Sequence, residues 1–180
     1  MIQWHHFNTT GAPAQDGSAV QVCVVPKAMR KFTAGMTFLG TENFNGLGGM
    51  PAGQKSDFSG TCVNDSAGPI TIFGFSPHMH LLGVNMKSEV TRKAGGPSEM
   101  VFDKPFQFDH QVNYMINPQI VLQPGDTIKS TCTFNNTTPA NVAFGQSTKA
   151  EMCYQFALAY PYNELNNGVI SLIGATNTCW

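Results

Sequence analysis

The sequence predicts an all-β protein, a single-domain antiparallel β-sandwich that is jelly-roll-like. Three observations carry this. Short stretches in which apolar and polar side chains alternate recur along the chain, and no segment has a convincing 3.6-residue period. Turn-forming residues punctuate those stretches: there are 18 Gly and 11 Pro, with abundant Asn and Thr. Charged residues make up 12% of the chain, about half the usual share, while the hydrophobic fraction is an ordinary 42%. A length of 180 residues suits one domain, assigned to 1–180, and is ample for a core.

The elements follow in order. AVQVCVV (19–25) and TAGMTFLGT (33–41) read as strands, and LGGMPAGQK (47–55) as a loop with a turn. GPITIFGF (68–75) is rich in β-branched and aromatic residues and reads as a strand. VNMKSEVTR (84–92) alternates, with Val84, Met86 and Val90 on one face and Asn85, Lys87, Glu89 and Thr91 on the other, as in a half-solvated antiparallel strand. QIVLQPGDTIKSTCTF (119–134) reads as strand, Pro-Gly-Asp turn and strand, with Asp126 capping its own backbone. EMCYQFALAYP (151–161) is a last strand, stopped by Pro161.

Several functions are disfavoured. A net charge of −1 without a basic run offers nothing to nucleic acid or to an anionic membrane. No apolar run approaches the roughly 20 residues of a membrane span. The N-terminus, MIQWHHFNTTGAP, lacks the regions of a signal peptide, so an exported protein would be represented by its mature form. No GxSxG or Cys/His hydrolase signature occurs. Five cysteines, Cys23, Cys62, Cys132, Cys153 and Cys179, include no CxxC pair. Two disulfides and a free thiol are expected, which implies an oxidising compartment, secreted or periplasmic; the alternative is five reduced, buried cysteines in a cytosolic protein. Asn-x-Ser/Thr sequons at Asn8, Asn64, Asn135 and Asn136 are expected to mark surface loops.

PHMHLL (77–82) raises a sharper question. On a strand, His78 and His80 point to one side and Met79 to the other. Two imidazoles so placed can ligate one metal ion, and the plain alternative is two surface histidines on an edge strand. Pro77 suits a strand edge or bulge, and Leu81 and Leu82 read as packing. Met152, in EMCYQF, would complete a mixed nitrogen and thioether site selective for copper, above all Cu(I); alone, it reads as a core methionine. His110 reads as a loop residue.

PHMHLLG (77–83), NPQIVLQPGDTIKSTC (117–132) and GQSTKAEMC (145–153) followed by YP (160–161) occur in an order and spacing that resemble the copper type II, ascorbate-dependent monooxygenases. These are the peptidylglycine hydroxylating and dopamine β-monooxygenase group, and the resemblance runs over about residues 5 to 179. It implies two copper-binding β-sandwich domains, one binding O2 and substrate through His-x-His and Met, the other storing an electron on three histidines. The chain resembles the oxygen-binding, C-terminal domain. By that resemblance His78, His80 and Met152 are the ligands of one copper, with O2 and ascorbate or another reductant as co-reactants. The electron-storing domain would lie upstream, and residues 1–10 would be the remnant of a strand shared with it. His5, with His6 as runner-up, matches that domain's third histidine and is a candidate second metal site.

The same resemblance pairs Cys132 with Cys153 and Cys62 with Cys179, and leaves Cys23, expected to be buried, as the free thiol. The shorter loop is worth roughly 3 kcal/mol in the chain-entropy model. Where peptide-amidating members have an arginine and a tyrosine that hold the peptide carboxylate, this chain has Ser76 and Phe156. No amidation of a glycine-extended peptide is expected, and Phe75, Tyr154 and Phe156 would line a more apolar pocket for a small organic substrate. The implied function is hydroxylation of a C–H bond by a copper-dependent monooxygenase. A non-catalytic copper-binding module for trafficking or storage, and a sandwich that binds a ligand or partner domain without metal, are the alternatives. A blue electron-transfer protein is disfavoured because no histidine follows His110.

Overall fold

The computed structural model describes residues 10–44, 48–161 and 165. The chain divides into two compact units, Met1–Lys31 and Phe32–Trp180. In the first, the described residues form only a 3-10 helix, Lys27–Met29, and their side chains are exposed. The strand expected over 19–25 is not formed: Val20, Val22, Val24 and Val25 are all exposed. Alternation marks a strand only where a neighbouring backbone takes its hydrogen bonds and a core takes its apolar face, and residue type alone supplies neither. Cys23 is accordingly an exposed thiol and not a buried one.

The second unit contains eight strands: β1 (Gly35–Thr41), β2 (Lys55–Val63), β3 (Ile70–His78), β4 (Gly83–Thr91), β5 (Glu99–Pro105), β6 (Tyr114–Leu122), β7 (Thr127–Asn135) and β8 (Cys153–Tyr160). They form two four-stranded sheets with orders β1-β8-β3-β6 and β2-β7-β4-β5, every pair antiparallel. β1 pairs with β8, β2 with β7, β3 with β6 and β4 with β5, as if one long hairpin of four strands against four had been rolled up. That pairing is the jelly roll, and the expected all-β sandwich is observed. β2 and β5 are strands that the alternation pattern had not singled out.

The inner faces meet in a core that includes Leu39, Phe58, Ile72, Phe75, Met86 and Phe134. Aromatic contacts fill it: Phe44 stacks on Phe58 at 4.4 Å, and Phe75 meets Phe102 edge-on at 5.2 Å. Cys132 on β7 is bonded to Cys153, the first residue of β8, so a disulfide staples one sheet to the other. Cys62 is buried and disulfide-bonded; its expected partner, Cys179, lies outside the described residues, as do His5, His6 and Asn8. At Gly60 a Cβ would collide with the backbone of Gly40, so β1 and β2 touch main chain to main chain.

Two bulges decide which side chains face out. In β3, Ile72 pairs with Ala159 but Gly74 with Leu158, which leaves Phe73 as an extra residue. Ile70 and Ile72 therefore point inward before the bulge, and Phe75 and Pro77 after it. In β4 the shift between Gly83 and Asn85 makes Val84 the extra residue. Met86 and Val90 are buried as expected, but Val84 is exposed.

The sequons at Asn64 and Asn136 do not mark exposed asparagines. Both residues are fully buried. Asn64 Nδ2 donates to the carbonyls of Gly68 and Leu122, while its Oδ1 accepts from the Ser66 N–H and hydroxyl. Asn136 Nδ2 donates to the carbonyls of Met50, Pro51 and Ala140, and its Oδ1 accepts from the Thr138 N–H and hydroxyl. The Ser or Thr two residues on closes an Asx turn at a strand end, so the pattern here is turn chemistry. Asp126 also does more than cap its own turn, since it accepts from Gln123 N–H, Lys93 N–H and Arg92, tying the β6–β7 turn to the end of β4.

Candidate metal centre

Because of the bulge at Phe73, residues after it on β3 change face. Ser76 and His78 point away from the core, and Met79, beyond the strand end, is fully buried. The β6 ladder ends at Phe75, so β3 has a free edge from Ser76 onward, where Pro77 loses nothing by lacking an N–H. The ring centroids of His78 and His80 are 5.4 Å apart, with planes at 88°. In a metal complex with about 2.0 Å metal–nitrogen bonds each centroid lies roughly 3 Å from the ion, so two rings this far apart can share one.

Hydrogen bonds select the free nitrogens. His80 Nδ1 lies 2.9 Å from the carbonyl oxygen of Ala150, which can only accept, so Nδ1 carries the proton. His78 Nδ1 lies 3.0 Å from Oε1 of Gln111. The amide orientation of Gln111 is set by its own Nε2, which donates to the carbonyl of Phe108 at 3.2 Å. Both imidazoles are thereby left with Nε2 as the available lone pair. Burial lowers the pKa of His78; the Gln111 hydrogen bond opposes this and the charge of His80 adds to it. The net lowering favours the neutral imidazole that a metal requires.

Met152 directly precedes β8. The ladder pairs Ser76 with Phe156 and His78 with Tyr154, and two residues further along the two chains come His80 and Met152. The 150–152 segment is held there by Glu151. Its carboxylate is fully buried and accepts from the N–H of His80 and the N–H of Leu82, both at 2.7 Å. Burial raises the Glu151 pKa against the pull of those amides. Glu151 thus joins the turn that carries His80 to the backbone that carries Met152. Among the described residues no three His, Cys, Asp or Glu side chains converge.

Ser76, Tyr154 and Phe156 share the outward face with His78, whereas Phe75 is fully buried in the core and lines no outward pocket. His78 lies 5.7 Å from Phe156, and Phe38 packs edge-on against Phe156 at 5.1 Å and Tyr154 at 5.9 Å. The Tyr154 hydroxyl donates to Oε1 of Glu42 at 2.5 Å; burial and that carboxylate both raise its pKa. The Ser76 hydroxyl donates to Oδ1 of Asn113. Leu81 is exposed in the turn and Leu82 is partly buried against the core, so only the second packs as expected. His110 is exposed on the adjoining loop. Gln111, Glu151 and Glu42 had no sequence signal, being polar residues in polar or loop segments; the one hint was an acidic residue directly before Met152.

A family model described as copper type II ascorbate-dependent monooxygenase, C-terminal domain, matches residues 32–172. The chain is 25% identical over 174 residues to MOXD1 homolog 1 of Drosophila melanogaster, covering 92% of this chain and 25% of that protein. It is 26% identical to tyramine beta-hydroxylase of Caenorhabditis briggsae, over 92% of this chain and 29% of the relative. Against dopamine beta-hydroxylase of Canis lupus familiaris it is 26% identical over 92% of this chain and 28% of the relative. The chain therefore spans about a quarter of the length of the curated relatives it matches. It belongs to the copper type II ascorbate-dependent monooxygenase family, as a C-terminal domain.

Proposed function

We propose that this member of the copper monooxygenase family is the oxygen-activating domain of a hydroxylase, with His78, His80 and Met152 as the ligands of one copper. The observation that carries the proposal is a half-exposed His78 and a buried His80 whose rings lie 5.4 Å apart with both Nδ1 atoms engaged, close in register to the residue that precedes β8, Met152. An unactivated C–H bond resists acid and base chemistry, and bound copper supplies the O2 activation that no side chain can. The chain's own contribution is position: Ala150 orients His80, Glu151 holds its backbone, and the inter-sheet disulfide at Cys153 anchors the strand beside Met152. One copper per chain is expected, with electrons from ascorbate by way of an upstream copper domain, and His5 and His6 are a candidate second metal site.

The substrate would lie against the aromatic face of Phe38, Tyr154 and Phe156. A small organic molecule suits it better than a peptide carboxylate, because the outward face offers Ser76, already bonded to Asn113, and Phe156 where the amidating members have an arginine and a tyrosine. No glycine-extended peptide should be amidated. The disulfide fits an oxidising compartment, secreted or periplasmic. No helix among the described residues is long and apolar enough to cross a membrane.

X-ray absorption of the reduced, copper-loaded protein tests the ligand set. One copper per chain with a sulfur neighbour, absent in Met152→Ile, is the expected result; no tight copper, or copper without sulfur, overturns it. Hydroxylated product formed with ascorbate and O2 then separates a monooxygenase from a copper-binding module that traffics or stores the metal.

A further inference from the structure

Three residues of one loop, Phe108, Gln111 and Asn113, meet side chains that follow the β3 bulge. Asn113 accepts from Ser76, Gln111 accepts from His78, and Phe108 packs edge-on over His80 with centroids 6.2 Å apart. The contacts step two residues at a time along the end of β3 and just past it, so the loop takes over where the β6 ladder stops at Phe75. Only one of the three touches a ring nitrogen. His80 takes its orientation from a main-chain carbonyl, which no side-chain substitution removes. His78 depends on the side chain of Gln111, itself oriented by the carbonyl of Phe108.

We infer that Gln111 is a positioning residue that holds His78 in the Nδ1-protonated tautomer with Nε2 directed to the metal, an inference that rests on the copper reading above. An imidazole can ligate through either nitrogen, and the bond made by the other nitrogen decides which. Without Gln111, His78 is free to turn its ring or exchange its proton, and a ligand that must be reoriented binds metal less tightly. Losing such an orienting partner typically costs 10–100-fold in affinity. Gln111 is exposed, which places the expected loss near the lower end, about tenfold.

The test compares wild type with Gln111→Leu, which removes the acceptor, and Gln111→Glu, which keeps one. Long-range 15N–1H spectra of the metal-free protein report each histidine tautomer, and competition with a chromophoric chelator reports Cu(I) affinity. In Gln111→Leu, His78 should lose its single Nδ1-protonated form while His80 keeps its own, and Cu(I) should bind about tenfold more weakly. Gln111→Glu should restore both. An unchanged His78 tautomer in Gln111→Leu, or a lost tautomer with undiminished Cu(I) affinity, overturns the inference. A wild-type chain that binds no Cu(I) would sink the proposed function, while the metal-free spectra would still decide whether Gln111 sets the tautomer.

Discussion

Two buried carboxylates, at opposite ends of the sandwich's turns, do similar work with different electrostatics. Asp126 ties the β6–β7 turn to the end of β4 through the N–H groups of Lys93 and Gln123, and Arg92 adds a guanidinium at 2.9 Å. Glu151 ties the turn after β3 to the start of β8 through the N–H groups of His80 and Leu82. For Asp126, burial raises the pKa, but the Lys93 amide, Arg92 and the Gln123 amide together outweigh it and hold the acid below its usual value. For Glu151, burial prevails and the pKa is raised. A full cation is the difference. The first carboxylate has a guanidinium beside it, while the second is held chiefly by main-chain amides of the turn that carries His80.

The largest effect expected from breaking this comparison is at Glu151. Glu151→Ala leaves two buried amides without an acceptor, a loss of about 3 kcal/mol that should lower the melting temperature by roughly 10 °C. Differential scanning calorimetry checks it, and a shift under about 3 °C would show that the clamp matters little. Asp126→Ala should cost less, about 2 kcal/mol by denaturant titration, because Arg92 is partly exposed and can turn to water. A third effect has a sign set by the lowered acid. A carboxylate with a depressed folded pKa stabilises fully above its unfolded value, near 3.9, and loses that contribution as pH falls through the folded value. The stability gap between wild type and Asp126→Asn should hold from about pH 7 to 5 and shrink below about pH 4. A gap independent of pH would remove the charge from the explanation. The smallest effect belongs to Leu81, which sits between the two amides that Glu151 holds but is itself 61% exposed. Leu81→Ala should change stability by no more than about 0.5 kcal/mol, so a larger loss would mean the turn depends on more than its backbone bonds.

Much of the fold was legible because the two-residue period of a half-buried strand is written in residue type. GPITIFGF, VNMKSEVTR and EMCYQFALAY all became strands, and the Pro-Gly-Asp turn joined β6 to β7. AVQVCVV has the same period and formed none, because a strand is a relation between two backbones and a sequence displays only one. The sequons at Asn64 and Asn136 do lie in turns with exposed neighbours such as Asp65 and Thr137, but the asparagines themselves are buried. Asn64 and Asn136 are followed by Ser or Thr at the second position because that hydroxyl closes the turn, and the pattern is the same whether the asparagine faces water or the core.

By itself the sequence set His78 and His80 two residues apart, which on a strand would turn both to one side, and pointed to Met152 as a partner from another segment. Which way each side chain turns was decided only in three dimensions. One extra residue, Phe73, inverts the inward set of β3, so that Phe75 enters the core and His78 leaves it, while His80, past the strand end, is buried. The tertiary structure likewise decided which nitrogens are free, because Gln111 and Ala150 reach the imidazoles from 33 and 70 residues away, and hydrogen-bond partners at such separations leave no periodic trace in the chain.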